Sequence, residues 1–404
     1  MQVWLNGKFV PAQDAKVSLF DSGFQHGVGV FTSMCAQHGR VFRVISHLER
    51  LKTSAVELGA LEVLRIEPLA DAIEMTIAQN NMTEARVRIT VTAGDLKMLK
   101  SPGVGGEPAR NDPTIAIVVQ PPTPYPAEIF ERGVRVRIAD ARINPHDPFA
   151  GHKTLWYWPR LAELQLAAAA GCSEALFFTT NNRASCGAVS NIFIVRGGTL
   201  VTPWARGEGN AELAAPVLPG VTRGAVIECA QERGISVERA DLTIDDIFGA
   251  DEIFLTNSSW GVLPVVGVEK KTIASGVPGE ISQALRLDYL QLVESETLIA
   301  SSEGEQGIEF GRMTLTFSRP SASCVGIEGR PVAVVAFNER RTRRTIANSK
   351  AIATTIATKI ARKKKPAMRK NATIGITMMS KKIARILKFM EFLEFMGEID
   401  GADR

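Results

Sequence analysis

Lys153 is the only lysine between Lys100 and Lys270, in a stretch that has many arginines. It stands in "NPHDPFAGHKTLWYWPRLAELQLAAAAG", after a loop rich in Pro, Gly and Asp and before a segment of helical character. His146 and His152 precede it, and Phe149, Trp156, Tyr157 and Trp158 flank it. Most lysines are solvated surface charges. A lysine among aromatics has a second use: desolvation strips its proton and leaves an amine able to attack a carbonyl. The five cysteines (Cys35, Cys172, Cys186, Cys229, Cys324) form neither a metal-ligand spacing nor a disulfide framework.

The segments around Lys153 must hold it. Residues 2–20 read as short strands, with a hairpin signal at Asn6-Gly7. "GRVFRVISHLERLKTSAVELG" turns from strand into helix, with Leu48, Leu51, Ala55 and Leu58 on one face and Gly59 as a stop. A second helix spans 67–80, and "ARVRITVTAG" and "PTIAIVVQ" read as strands. "PPTPYP" at 121–126 can continue neither sheet nor helix and reads as a linker. Beyond it, "GVRVRIAD" is a strand, and a helix runs from about Trp158 to Ala170 with Pro159 in its first turn. "EALFFTTNNRASCGAVSNIFIVRGGTLVTP" reads as three short strands. "LPGVTRGAVIECAQERG" is loop into helix, and "ADEIFLTNSSWGVLPVVGV" is strand, turn, strand. The pattern is α+β, divided into a small domain at 1–120, a linker at 121–126, a large domain at 127–300 and a tail at 301–404.

Composition bounds the function. Apolar residues make up 45% and charged residues 22% of 404, as in an ordinary soluble protein with two domains. No apolar run reaches membrane-span length and no secretory signal is visible, so a reducing cytoplasm is expected. Residues 301–404 carry 20 Lys+Arg against 10 Asp+Glu, and residues 1–300 carry 27 against 33. The body is thus mildly acidic, and any nucleic-acid contact would rest on the tail alone.

Residues 1 to about 298 resemble the fold-type IV family of pyridoxal-phosphate enzymes, which holds branched-chain aminotransferases, D-amino acid aminotransferases and aminodeoxychorismate lyases. The motifs run in order. "DSGFQHGVGVF" resembles the family's N-terminal glycine-rich stretch and "SHLERLKTSAVELG" its "HLxRLxxSA" segment. "GHKTLW" falls at its Schiff-base lysine. "GAVSNIFIVRGGTLVTP", "LPGVTRGAVIECA" and "EIFLTNSSWGVLPV" resemble the three signatures that follow. The resemblance implies a two-domain fold with pyridoxal phosphate at the interface, Lys153 as Schiff-base lysine and proton carrier, and a homodimer. It places Arg50 at the phosphate-binding arginine. The free amides at Val221 and Thr222 of "PGVTR" and Ser258 of "TNSSW" supply further phosphate donors. The implied reaction is transamination between a small, branched-chain-like amino acid and a 2-oxo acid. Conversion of aminodeoxychorismate to 4-aminobenzoate is the alternative within the family, and a catalytically weak cofactor-binding homologue is the alternative outside it.

The chain also departs from the family. The glutamate that pairs with the protonated pyridine nitrogen lies five residues before the Asn of "SNxF". That position is Cys186, a weak donor and acceptor. Three readings follow: a less electrophilic cofactor, replacement of the lost acid by another such as Glu174, or little activity. The family's "GDGvFE" reads "GVGVFT", with Val28 and Thr32 in place of two acids, and threonine there resembles the lyase branch. "TRG" reads "TAG", with Ala93, so the usual carboxylate arginine is absent. Phe31, Thr32, His26 and Arg88 are the substrate-side candidates, with Lys97 a further substitute. After about residue 305 nothing resembles the family. "SKKIARILKFMEFLEFMGE" has amphipathic spacing, which suits a basic arm for nucleic acid or anionic membrane. The reading preferred for 301–404 is a disordered extension or a misjoined reading frame.

Overall fold

The computed structural model describes residues 1–95, 113–209 and 214–305; of 299–305 only the backbone is described. These residues lie in one compact unit, Met1–Met313. A second unit, Thr314–Arg404, lies outside the described residues, and so do Lys97 and the tail readings.

A first, antiparallel sheet takes strands from the N-terminal part of the chain. These are β1 (Gln2–Leu5), β2 (Lys8–Pro11), β3 (Gly29–Gln37), β4 (Arg40–Val41), β5 (Ala85–Thr92) and β6 (Ile115–Gln120), in the order β2-β1-β6-β5-β3-β4. The short helix α1 (Ser22–His26) precedes β3, and α2 (Val44–Glu57) and α3 (Ile66–Gln79) cover the sheet. The β1–β2 turn places Asn6 and Gly7 at φ 47° and 89°, the left-handed pair that a two-residue hairpin requires. Leu48, Leu51 and Ala55 of α2 pack with Val87, Ile89 and Val91 of β5. Strand alternation sends the intervening Arg86 and Arg88 to the other face, and that face fronts the cavity described below.

The second sheet begins after the short helix α4 (Glu128–Glu131). Its strands are β7 (Val134–Ile143), β8 (Glu174–Thr179), β9 (Ala184–Gly187), β10 (Asn191–Arg196), β11 (Thr199–Thr202), β12 (Val237–Arg239), β13 (Glu252–Asn257), β14 (Gly261–Val268) and β15 (Lys271–Thr272). They run β12-β11-β10-β13-β14-β7-β8-β9, with β15 beside β14. Helix α5 (Trp158–Ala169) links β7 to β8, α6 (Val221–Glu232) and α7 (Ile244–Phe248) follow β11, and α8 (Glu280–Glu305) closes the described chain. The stretch expected as three strands is four. The missed one is β9, Ala-Ser-Cys-Gly, which has no apolar alternation and is held by antiparallel pairing with β8.

The two sheets are joined by packing and by charge. Phe42, just after β4, packs with Phe193, Phe254 and Tyr289. Arg43 at the start of α2 pairs with Glu228 of α6 at 2.6 Å and Glu296 of α8 at 2.9 Å. Both partners retain solvent access, so each pair contributes only about 0–1 kcal/mol. The buried aromatic contact stabilises the junction more than the ion pairs do.

Candidate active site

Between the sheets lies a cavity of about 520 Å³. Its wall carries Arg50, Arg86, Arg88, Lys153 and Arg160, and among the described residues it carries no Asp or Glu. Cys186, Val221, Thr222, Ser258 and Phe31 also line it.

Lys153 reaches this wall because its short segment bridges to the first sheet. The Phe31 amide donates to the Lys153 carbonyl at 2.9 Å, and the Leu155 amide donates to the Gly29 carbonyl at 2.9 Å. A side chain at Gly29 would meet the Val91 carbonyl and Leu155, so glycine permits this close approach. Lys153 Nζ donates to Tyr157 Oη at 3.2 Å, and Tyr157 Oη donates to the Ala188 carbonyl at 3.2 Å. The Phe31 ring lies 4.5 Å from Nζ and meets the Tyr157 ring edge-on at 5.3 Å. Burial, then Arg50, Arg160 and Arg88, lower the pKa of the Lys153 amine from 10.5 to about 7. The amine is therefore about half unprotonated at neutral pH.

Arg50 projects from the buried face of α2. It donates from Nη1 to the Pro219 carbonyl at 3.1 Å and from Nη2 to Thr32 Oγ1 at 3.0 Å. Burial lowers its pKa from 12.5 to about 10. The Thr32 hydroxyl lies 3.0 Å from His47 Nδ1. Arg50 Nη2 also lies 3.5 Å from His47 Nδ1, and a guanidinium only donates, so Nδ1 serves as the acceptor of a neutral ring. Burial, with Arg50 and Lys153 adding to it, pushes His47 well below its usual range and agrees with that neutral state. Pro219 leads into α6, where Gly220 is the N-cap and Val221 and Thr222 form the first turn. The first amides of a helix have no partner within its ladder. A Cβ on Gly220 would collide with Asn191 Oδ1, which fixes this backbone against β10.

Several expected site residues stand elsewhere. Thr32 is fully buried and faces away from the cavity, because strand alternation gives that face to Phe31 and Ser33. His26 is exposed at the end of α1, where Gly27 at φ 70° turns the chain, and it does not line the cavity. Glu174, a candidate substitute acid, is buried behind Gly187. Its oxygens accept from the amides of Ala175, Ala188 and Val189 and from Ser190 Oγ at 2.9, 3.1, 3.2 and 3.0 Å. It shapes the 187–190 turn and leaves no oxygen for the cavity. Arg88 does front the cavity, stacked 3.7 Å over the Phe31 ring, and burial lowers its pKa.

Arg86 and Arg160 line the cavity without having been singled out in the sequence. Arg86 was legible in principle, two residues before Arg88 on the same face of an alternating strand. Arg160 carries no comparable signal, since α5 buries Glu163 and exposes Trp158 and Leu161.

The residues fit a phosphorylated carbonyl cofactor at three points. Lys153 offers an amine that loses its proton near neutrality. Arg50 is a half-buried guanidinium whose hydrogen-bond acceptors are a carbonyl, a hydroxyl and a ring nitrogen. Beside it the first turn of α6 offers amides. The one position that departs is Cys186.

Comparison with known proteins agrees. The chain matches the family Amino-transferase class IV over residues 29–268. It is 34% identical over 287 residues to a Methanocaldococcus jannaschii protein assigned as a branched-chain-amino-acid aminotransferase, covering 71% of this chain and 94% of that one. The crystal structure of the Escherichia coli branched-chain amino acid aminotransferase superposes with a TM-score of 0.66 at 28% identity, over 73% of this chain and 95% of that one. The 4-amino-4-deoxychorismate lyase of Pseudomonas aeruginosa gives 0.61 at 26%, over 73% and 99%. The fold is that of the fold-type IV enzymes. The chain belongs to the class IV aminotransferase family, a family of pyridoxal-phosphate-dependent enzymes.

Proposed function

We propose that this chain binds pyridoxal phosphate and transfers the amino group of a small, branched-chain-like amino acid to a 2-oxo acid. The observation that carries the reading is the Lys153 amine, lowered to about 7 in a cavity lined by cations and, among the described residues, by no acid. When bound, pyridoxal phosphate supplies an electron sink for the bond broken at the substrate α-carbon. Lys153 would hold the cofactor through its Nζ, and the same amine would move the proton at the substrate α-carbon. Tyr157 holds Nζ in place through its hydroxyl, and burial keeps that hydroxyl protonated by raising its pKa. Arg50, the Val221 and Thr222 amides and Ser258 bind the phosphate, and Arg88 is the candidate for a substrate carboxylate. Phe31 and Tyr157 form an apolar wall beside the amine, which suits an aliphatic side chain.

Four described cysteines are unpaired, which supports a reducing cytoplasm as the compartment. No described helix is long and apolar enough to cross a membrane. Phe20, Phe24, Trp156 and Trp158 are more than half exposed, and a second copy of the chain is proposed to cover these aromatics.

The test is a panel assay of cofactor-loaded protein. Aliphatic amino acids are paired with 2-oxoglutarate, and aminodeoxychorismate is offered separately. Amino transfer supports the reading, and 4-aminobenzoate without amino transfer overturns it. The lyase alternative loses its main pointer within this chain, because Thr32 does not face the cavity.

A further inference from the structure

Arg160 stands next to Cys186. From the start of α5 its Nη1 donates to the Gly187 carbonyl at 3.1 Å, the Ala188 carbonyl at 3.2 Å and Cys186 Sγ at 3.4 Å. The guanidinium carbon lies 5.3 Å from the Phe177 ring centre and 5.8 Å from that of Tyr157. These acceptors and rings together hold the cation beside β9. Its hydrogen-bond partners are carbonyls and a thiol. The nearby carboxylate of Glu174 spends both oxygens on the 187–190 turn.

The resemblance to the family implies a carboxylate at position 186, and a carboxylate only accepts. A ring nitrogen that meets it carries a proton. Here the position offers a thiol, weak in both roles, and beside it a guanidinium, which only donates and keeps its charge at every working pH. Protonating a ring nitrogen next to that fixed cation would set two positive charges side by side in a cavity with no described acid to separate them. The neutral nitrogen has a lone pair to present to a donor.

We propose that Arg160, acting with Cys186, keeps the ring nitrogen of pyridoxal phosphate unprotonated in this protein. The inference rests on the cofactor reading above and adds to it. An unprotonated ring draws electrons less strongly. Proton transfer at the substrate α-carbon then leans more heavily on the basicity of Lys153 and on the cations around it. Cys186 is in this light no damaged acid site; it is the small residue that lets Arg160 occupy the place.

The test is spectroscopic. Full-length protein is loaded with pyridoxal phosphate carrying nitrogen-15 in the ring, and the nitrogen resonance is followed across neutral pH. The expected signal is that of an unprotonated pyridine nitrogen, unmoved by pH while the protein stays folded. The paired variant Arg160→Leu with Cys186→Glu is expected to shift it to the protonated position, and Arg160→Lys, which keeps the cation, to leave it unprotonated. A wild-type signal at the protonated position overturns the proposal while leaving the aminotransferase reading intact. A folded paired variant whose signal does not move also overturns it. A chain that captures no pyridoxal phosphate at all overturns both readings. The wild-type spectrum decides alone should a variant fail to fold.

Discussion

Covalent capture of pyridoxal phosphate by cofactor-free protein should follow the titration of Lys153. With its pKa at about 7, half of the Lys153 amine is unprotonated at pH 7. An ordinary lysine near 10.4 has only ~1 in 2,500 of its amine in that form. At equal intrinsic reactivity, Lys153 should therefore react on the order of a thousand times faster than a surface lysine at neutral pH. The rate should fall tenfold per pH unit below about 7 and level off above it. Arg50, Arg160 and Arg88 contribute to the shift after burial, so Arg88→Gln should move the midpoint upward. The sign for stability follows from the same shift. Between about 7 and the ordinary lysine value the unfolded chain binds the extra proton, so folding stability gains from this group as pH rises through that window. The assay is brief exposure to pyridoxal phosphate, borohydride quenching and peptide mapping. A capture rate still climbing steeply well above pH 8, or label spread evenly over other lysines, would refute the reasoning.

Further outcomes are expected. Lys153→Ala should lose the reducible adduct and all turnover while keeping its thermal midpoint; an adduct remaining at one site would reassign the lysine. Arg50→Gln should weaken pyridoxal phosphate binding by ~10–100-fold, the effect of about 1.4–2.7 kcal/mol for a charged hydrogen-bond partner, measured by equilibrium titration; unchanged affinity would remove Arg50 from the phosphate site. Gly187→Ala would place a Cβ against Ser190 Oγ and 2.9 Å from Glu174 Oε2, disturbing the turn that carries Cys186, at a cost of about 1–3 kcal/mol by denaturant titration; a neutral change would mean the turn yields easily. Truncation after Met313, the end of the compact unit, should leave cofactor capture and thermal midpoint unchanged, and an insoluble or cofactor-free product would make the later residues integral.

The legible parts of this chain were those whose local pattern agrees with their environment. Leu48, Leu51 and Ala55 repeat at helical spacing and are buried as that spacing requires, and Asn6-Gly7 forms the turn its residue types favour. The resemblance brought Lys153, Arg50 and the start of α6 to one place in expectation, and the structure sets them around one cavity. The illegible parts depend on partners distant in sequence. Strand β9 is held by pairing with β8, which its own residues do not display. Glu174 looked like a spare acid because the sequence does not display the amides that consume its oxygens. Arg160 lies at the start of a helix whose outward face is apolar, so amphipathic reasoning points it the wrong way. Thr32 lies one residue from the cavity wall, and the one-residue phase of a strand decides its role.

The four arginines on the cavity wall, with Lys153 adding part of a charge at neutral pH, act beyond their own contacts. Such a concentration of one sign in a concave, poorly solvated space projects a field past its mouth and draws in counter-ions before any contact forms. Doubly negative solutes gain most, so a phosphorylated cofactor or a dicarboxylic acid would arrive faster than a neutral analogue. The gain decays over a screening length of about 8 Å at physiological ionic strength. The same field admits inorganic phosphate and sulfate, and concentrated buffers of either anion compete for the mouth. Encounter rates measured in dilute salt will therefore exceed those in the cell, and the excess will grow with the negative charge of the incoming molecule.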